Sequence, residues 1–90
     1  MKAIITVIGN DKVGIIAGIC EVLASNGVNV LDISQTVLQD QFFTMVMLVD
    51  TSACAVSFAQ LALLLDTRGQ EMDLSIRIQR VDIFEAMHRI

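Results

Sequence analysis

Short apolar segments separated by polar turns divide the chain, and the spacing of their side chains predicts four strands and two helices. Residues 3–8 (AIITVI) are rich in β-branched side chains and predict the first strand. Residues 14–26 carry apolar side chains at i, i+3, i+4 and i+7, which predicts an amphipathic helix ending just before Gly27. The same spacing over 57–68 predicts a second helix that ends before Gly69.

The remaining segments predict three further strands. Residues 29–38 and 73–80 alternate apolar and polar side chains, which is typical of strands with one face in solvent. Residues 42–49 (FFTMVMLV) are apolar at nearly every position and predict a strand covered on both faces. The polar pair Asp40 and Gln41 predicts a hairpin turn before it. The element order is therefore βαββαβ.

This contrast between strands predicts their order in the sheet. The first and third strands are apolar on both faces and belong in the centre, while the alternating second and fourth belong at the edges. Right-handed crossovers then place both helices on one face. The fold class is α+β: a ferredoxin-like sandwich with an antiparallel sheet in the order 4-1-3-2. We expect residues 1–80 to form this domain.

The second face of the central strands is also apolar and needs a cover. Residues 81–90 (VDIFEAMHRI), an amphipathic C-terminal segment of the same domain, form one candidate, and a second subunit is the other. Apolar residues make up 54% of the 90-residue chain, which is high for so small a core and favours a partner surface.

Charge and composition exclude several classes of function. The net charge of −4, with no basic cluster, argues against nucleic acid as a partner. Acidic residues interrupt every long apolar stretch, so no membrane helix is predicted. The N-terminus has no secretory signal pattern, and we expect a cytoplasmic protein without membrane contact.

The sequence offers little for catalysis or metal binding. Cys20, Cys54 and the single histidine, His88, are not spaced as metal ligands, and no nucleophile stands beside a base. Acylphosphatases share this strand order but hold phosphate with an arginine where the first helix begins, and residues 9–16 contain none. RNA-recognition domains stack bases on aromatic side chains of the central strands, and residues 3–8 contain none. We expect no enzyme and no cofactor.

The loop 9–15 (GNDKVGI) is the candidate site. Gly9 and Gly14 have the spacing of half a P-loop, but the Lys-Ser/Thr that must follow is absent. Backbone N–H groups near Val13, Gly14 and Ile15, at the positive end of the helix dipole, suit a carboxylate. Alternatively, Asn10 or Asp11 only caps the helix. We expect Gly14 to permit a close approach of the backbone to a ligand or to the neighbouring helix.

The stretch TVIGNDKVGIIAGICEVLASNGVNVLDIS resembles the N-terminal half of an ACT domain, and the predicted element order extends the resemblance over residues 3–80. In that family, amino acids bind at a dimer interface between the loop before the first helix and the start of the partner's second strand. The resemblance implies a site at the following residues: Asn10, Asp11, Lys12, Val13, Gly14, Ile15 and Asn29. Val13 stands where the family often has proline.

The resemblance therefore implies a regulatory module that acts as a homodimer and senses a small molecule, most simply an amino acid, without catalysis. It resembles the small free-standing ACT proteins, related to regulators of amino-acid metabolism and to a glycine-cleavage repressor. The alternative is an adaptor that dimerises or binds another protein and has no small-molecule ligand.

Overall fold

The structure, a computed structural model, describes residues 1–81 and contains the six predicted elements. They are β1 (Lys2–Asn10), α1 (Ile15–Ser25), β2 (Asn29–Leu38), β3 (Phe42–Asp50), α2 (Phe58–Met72) and β4 (Leu74–Arg80). The predicted C-terminal segment lies, after Val81, outside the described residues. No helix within residues 1–81 is long and apolar enough to cross a membrane.

The strands form one antiparallel sheet in the order β2-β3-β1-β4, which confirms the predicted 4-1-3-2 order and the ferredoxin-like fold. β1 pairs with β3 from Lys2 opposite Asp50 to Asn10 opposite Phe42. The ends of β1 and β2 and the start of β3 therefore lie at the same end of the sheet.

The core lies between the sheet and the two helices. Alternate residues of β1 and β3, such as Ile5, Val7, Met45 and Met47, are fully buried beneath the helices. Helix residues Ile15, Ile19, Leu23, Leu61 and Leu65 close this core from above. Alternate residues of the strands and residues three or four positions apart on the helices thus form one apolar layer.

The other face of the sheet receives no cover from the two helices. Phe42 and Val46 of β3 are 45% and 43% exposed there, because both helices lie on the opposite side, and the cover by residues 81–90 or by a second subunit stays a prediction. Neither element of the helix layer crosses to this face within residues 1–81.

β2 departs from its predicted single wet face. It is exposed along almost its whole length, and Ile33 and Val37 remain 40% and 44% exposed although they lie opposite buried residues of β3. A shift of register between Val30 and Asp32 leaves Leu31 unpaired and interrupts the alternation. β2 is therefore an edge strand, and both of its faces are exposed.

The prediction that α2 ends before Gly69 is wrong. α2 continues to Met72 and ends at Asp73, which has a φ of 58°. Gly69 is buried inside the helix, and a Cβ there would lie 2.7 Å from the carbonyl oxygen of Leu74. This glycine allows the helix to lie directly against β4, so its role is packing rather than termination.

α1 and α2 make a similar close contact at Gly18. A Cβ on Gly18 would lie 2.8 Å from Met72 Sδ, the far end of a flexible side chain. Arg68 donates a hydrogen bond to the Gly18 carbonyl at 2.8 Å and lies 3.4 Å from Glu21 and 3.3 Å from Glu71. The two helices therefore lie close together, and α2 lies against β4.

The start of the chain is fixed at the other end of the sheet. Thr51 N–H donates to the Met1 carbonyl at 2.8 Å, and the N-terminal ammonium lies 3.8 Å from Asp50 Oδ1. The Ser52 hydroxyl donates to that oxygen at 2.6 Å, and this bond, with one from the Ser52 N–H, lowers the pKa of the Asp50 carboxyl.

The same substitution should have different effects at the two helix glycines. Gly69→Ala should lower the free energy of unfolding by about 1–3 kcal/mol, because the methyl group meets backbone that cannot move. Gly18→Ala should be close to neutral, since Met72 can rotate away and alanine favours a helix by about 1 kcal/mol. Urea unfolding of both variants measures the difference. A Gly69→Ala protein as stable as wild type would contradict the packing role.

Candidate functional site

A cavity of about 530 Å³ lies at the end of the sheet where β1 stops and α1 begins. Its volume is within the range of about 300–1,000 Å³ that is typical of small-molecule sites. Three parts of the chain line it: the β1–α1 loop, the first turn of α1, and the last residues of β2 with one residue of β3. The lining residues are Asp11, Lys12, Gly14, Ile15, Ile16, Ala17, Gln35, Thr36, Val37 and Phe43.

The start of α1 opens into this cavity without a side-chain cap. Gly14 is the N-cap residue, with φ 89° and ψ 6°, and no side chain accepts a bond from the first turn. The first helical hydrogen bond runs from Gly18 N–H to the Gly14 carbonyl at 2.9 Å. The N–H groups of Ile15, Ile16 and Ala17 precede it and have no acceptor within the helix.

The structure corrects two sequence-based expectations about this turn. Neither Asn10 nor Asp11 caps α1, because the chain makes its turn at Gly14, several residues later. Gly14 makes no close approach to the neighbouring helix, since a Cβ there would have no heavy atom within 4 Å; a close approach to a ligand stays a prediction. Glycine is required by the positive φ of its backbone, which side chains rarely tolerate.

The β1–α1 loop is held in place by contacts outside the cavity. Asp11 N–H donates to the Gln41 carbonyl in the β2–β3 turn at 2.7 Å. Lys12 Nζ donates to the Met72 carbonyl at the C-terminus of α2, where the helix dipole favours a positive charge. Within residues 1–81, the Asp11 carboxylate itself has no hydrogen-bond or ion-pair partner and lies on the cavity wall.

The second wall belongs to the part of β2 that no helix covers. Gln35 and Val37 lie opposite Met45 and Phe43, so their side chains point to the helix side of the sheet. A gap remains between the first turn of α1 and this part of β2. Phe43, only 4% exposed, lies at the base of this gap.

The structure divides the predicted site residues into two groups. Asp11, Lys12, Gly14 and Ile15 line the cavity. Asn10 lies at the end of β1 opposite Phe42, and Val13 is fully exposed at the tip of the loop, so neither lines it. Asn29 pairs with Asp50 at the opposite end of the sheet, about 25–30 Å away along β2.

The sequence pattern did not reveal the wall formed by Gln35, Thr36 and Val37 or the second residue of the helix, Ile16. The predicted topology contained the signal for the β2 wall, because the short 2–3 hairpin must place the end of β2 beside the end of β1. The missing information was the distance between the first turn of α1 and the end of β2, because the cavity lies between them.

Metal chemistry finds no support in this part of the chain. No group of three or more histidine, cysteine, aspartate or glutamate side chains within residues 1–81 is arranged to hold a metal ion. Cys20 and Cys54 are both free thiols.

Comparison with known proteins agrees with the fold. A sequence model of the ACT domain matches residues 2–79. A UPF0237 protein of Clostridium acetobutylicum is 53% identical over the whole length of both chains. A UPF0237 protein of Methanocaldococcus jannaschii is 48% identical over 99% of this chain and 98% of that one.

Solved structures show the same similarity. An ACT domain protein from Streptococcus pneumoniae has a TM-score of 0.82 and 45% identity, covering 94% of each chain. The regulatory subunit of aspartate kinase from Thermus thermophilus shares the fold, with a TM-score of 0.67 and 24% identity over 87% of this chain and 50% of that one. With a family match over residues 2–79 and homologues in the UPF0237 group over its full length, the chain belongs to the ACT domain family.

Proposed function

We propose that this protein is a cytoplasmic, non-catalytic regulatory module that binds a small molecule, an amino acid, in the cavity beside α1 and acts as a homodimer. The observation that carries the proposal is the uncapped start of α1, which opens into a cavity beside the unpaired carboxylate of Asp11. Among proteins sharing the fold, the aspartate kinase chain is a regulatory subunit, and another is described as a glycine cleavage system transcriptional repressor.

The two ends of an amino acid match the two kinds of group on the cavity wall. Its carboxylate suits the free N–H groups of Ile15, Ile16 and Ala17, where the helix dipole adds a partial positive charge. Its ammonium suits the carboxylate of Asp11, which has no other partner within residues 1–81. A ligand with both charges uses both groups, whereas an inorganic anion leaves Asp11 as a repulsive neighbour.

The bare edge of β2 supports dimerisation. β2 presents ten residues with one charge, Asp32, and no proline, so it lacks the usual protection of an edge strand. A two-fold axis pairs such a strand with itself in the antiparallel sense. In a fully overlapping pair, Asn29 of the second subunit lies beside Leu38 at the mouth of the cavity. This arrangement supports the assignment of Asn29 to the site.

The cavity wall does not favour chemistry on the ligand. Asp11 is its one carboxylate, and Lys12 is already bonded to the Met72 carbonyl. A base and a nucleophile within reach of each other are not present in the lining. Binding without reaction is the function that these groups support.

A thermal-shift panel of amino acids on wild type and Asp11→Asn tests the ligand. At about 100 times its dissociation constant, a ligand should stabilise wild type by about 2.7 kcal/mol, and each kcal/mol raises Tm by about 4–8 °C in a domain of this size. Asp11→Asn removes the charge-assisted bond, so the shift should shrink with an affinity loss of more than about tenfold.

The unliganded Asp11→Asn protein should keep the wild-type Tm, because the carboxylate has no partner within residues 1–81. Equal ligand shifts in both proteins would remove Asp11 from the site. No shift with any amino acid would favour the adaptor function instead.

Substitutions at Gly14 test the role of its backbone conformation. Gly14→Val should lower the free energy of unfolding by about 1–3 kcal/mol, because a β-branched residue is strained at φ 89°. Gly14→Asn is the matched control, since asparagine tolerates positive φ far better. Urea unfolding and ligand titration should both rank the proteins as wild type, Asn, then Val. A Val variant with wild-type stability and affinity would show that the turn does not need glycine.

A charge at the centre of β2 tests the dimer. Ile33 lies at the midpoint of the strand, so Ile33→Lys places two like charges near the two-fold axis. We expect wild type to sediment at twice the chain mass at micromolar concentration, and the variant to dissociate at least about tenfold more readily. Leu63→Lys, 64% exposed on α2, is the control and should remain dimeric. A wild-type monomer, or equal masses for both variants, would contradict the β2 interface.

A further inference from the structure

The cavity contains more than the groups that recognise the two charged ends of an amino acid. Between the first turn of α1 and the end of β2, most of its lining side chains are apolar, with Gln35 and Thr36 as the polar members. Ile16 on the helix is 37% exposed and Val37 on the strand is 44% exposed, and both line the gap. Ile15 and Phe43 lie below them and are 2% and 4% exposed. This part of the cavity is an apolar slot.

The slot has no charged group left to recognise a charged side chain. Lys12, the one cation in the lining, donates to the Met72 carbonyl. Asp11, the one anion, lies on the loop side, next to the start of α1. Gln35 is a neutral polar group at the strand wall. An acidic side chain would enter the slot without a cation, and a basic one would compete with the ligand's own ammonium for Asp11.

We propose that the ligand is an amino acid with an apolar side chain, which fills the slot between Ile16 and Val37. This inference rests on the proposed function, because the carboxylate and ammonium must be held at α1 and Asp11 for the side chain to enter the slot. Covering the exposed parts of Ile16 and Val37 removes apolar surface from water, which is the driving force for this part of the ligand. Ile16 and Val37 are then the residues that determine specificity.

A homologous series of ligands isolates this contribution. Alanine, 2-aminobutyrate, norvaline and norleucine share the same charged ends and differ by one methylene at each step. If each methylene enters the slot, affinity should rise about fourfold per step, the fold-change that corresponds to about 0.8 kcal/mol for a buried methylene. Calorimetric titration of each ligand into the full-length wild-type protein gives the slope. Aspartate and lysine should bind more weakly than norleucine.

A matched pair of valine variants locates the slot on the protein. Val37→Thr keeps the shape of the side chain but replaces one methyl group in the slot with a hydroxyl. The rise in affinity per methylene should therefore become smaller, and norleucine binding should weaken about three- to tenfold. Alanine binding should change little. Val13→Thr, at the fully exposed tip of the loop outside the cavity, is the control and should retain the wild-type slope. Because Val37 is partly exposed, the unliganded Tm of its variant should stay near that of wild type.

The outcomes separate this inference from the proposed function. If amino acids bind but affinity does not rise along the series, or if glycine, serine or aspartate binds most tightly, the apolar specificity is overturned. The amino-acid site itself would remain. A rising slope that Val13→Thr flattens and Val37→Thr does not would place the side chain elsewhere and overturn the assignment of Ile16 and Val37. A complete absence of amino-acid binding would overturn both proposals.

Discussion

The close contact between α2 and β4 at Gly69 determines how the helix layer covers the sheet. There the helix backbone approaches the Leu74 carbonyl so closely that no Cβ fits. α1 follows, because it packs against α2 at Gly18 and receives a hydrogen bond from Arg68. α2 is thus fixed against β4, and α1 is fixed against α2. The helix layer leaves Ile33 and Val37 of β2 partly exposed, and the cavity lies beside Val37.

The cavity is shaped by contacts that do not use its recognition groups. The backbone of Asp11 is tied to Gln41 and the side chain of Lys12 to the end of α2, so the loop is positioned from outside. Gly14 turns the chain into α1 by its backbone alone. The N–H groups of the first turn and the Asp11 carboxylate are therefore left for an occupant. A site held in this way loses little conformational freedom on binding, which favours affinity.

The sequence predicted the fold well because its two periodicities are clear. Alternation in β2 and β4, the continuous apolar runs of β1 and β3, and the helical stripes of α1 and α2 led directly to the element order and to the sheet order. The errors occurred where a residue type has more than one physical use. Gly69 was interpreted as a helix end, but a buried glycine also permits close packing. Asp11 was considered as a cap, but Gly14 already turns the backbone.

The candidate site could be predicted only in part, for a related reason. The loop residues Asp11, Lys12, Gly14 and Ile15 were identifiable because they lie together at a predicted helix start, where the resemblance to ACT domains places a ligand. Val37 and Ile16 were not, because apolar residues on an amphipathic strand and helix are normally core. Their exposure depends on how far α1 lies from β2, a distance between elements that local patterns do not encode. Asn29 belongs to the site only if a second chain brings it there, as the proposed pairing of β2 would do.

The central position of β1 has a consequence for how the protein is made. β1 is synthesised first, but it pairs with β3 on one side and with β4, the last strand, on the other, where Ile5 lies opposite Ile78 and Val7 opposite Ile76. During translation its second edge therefore stays unpaired until residue 80 has left the ribosome. β1, β3 and β2 can pair once residue 50 has emerged, but β4 joins only later, so the central strand keeps one open edge through the synthesis of α2 and is completed by contacts between residues distant in the sequence.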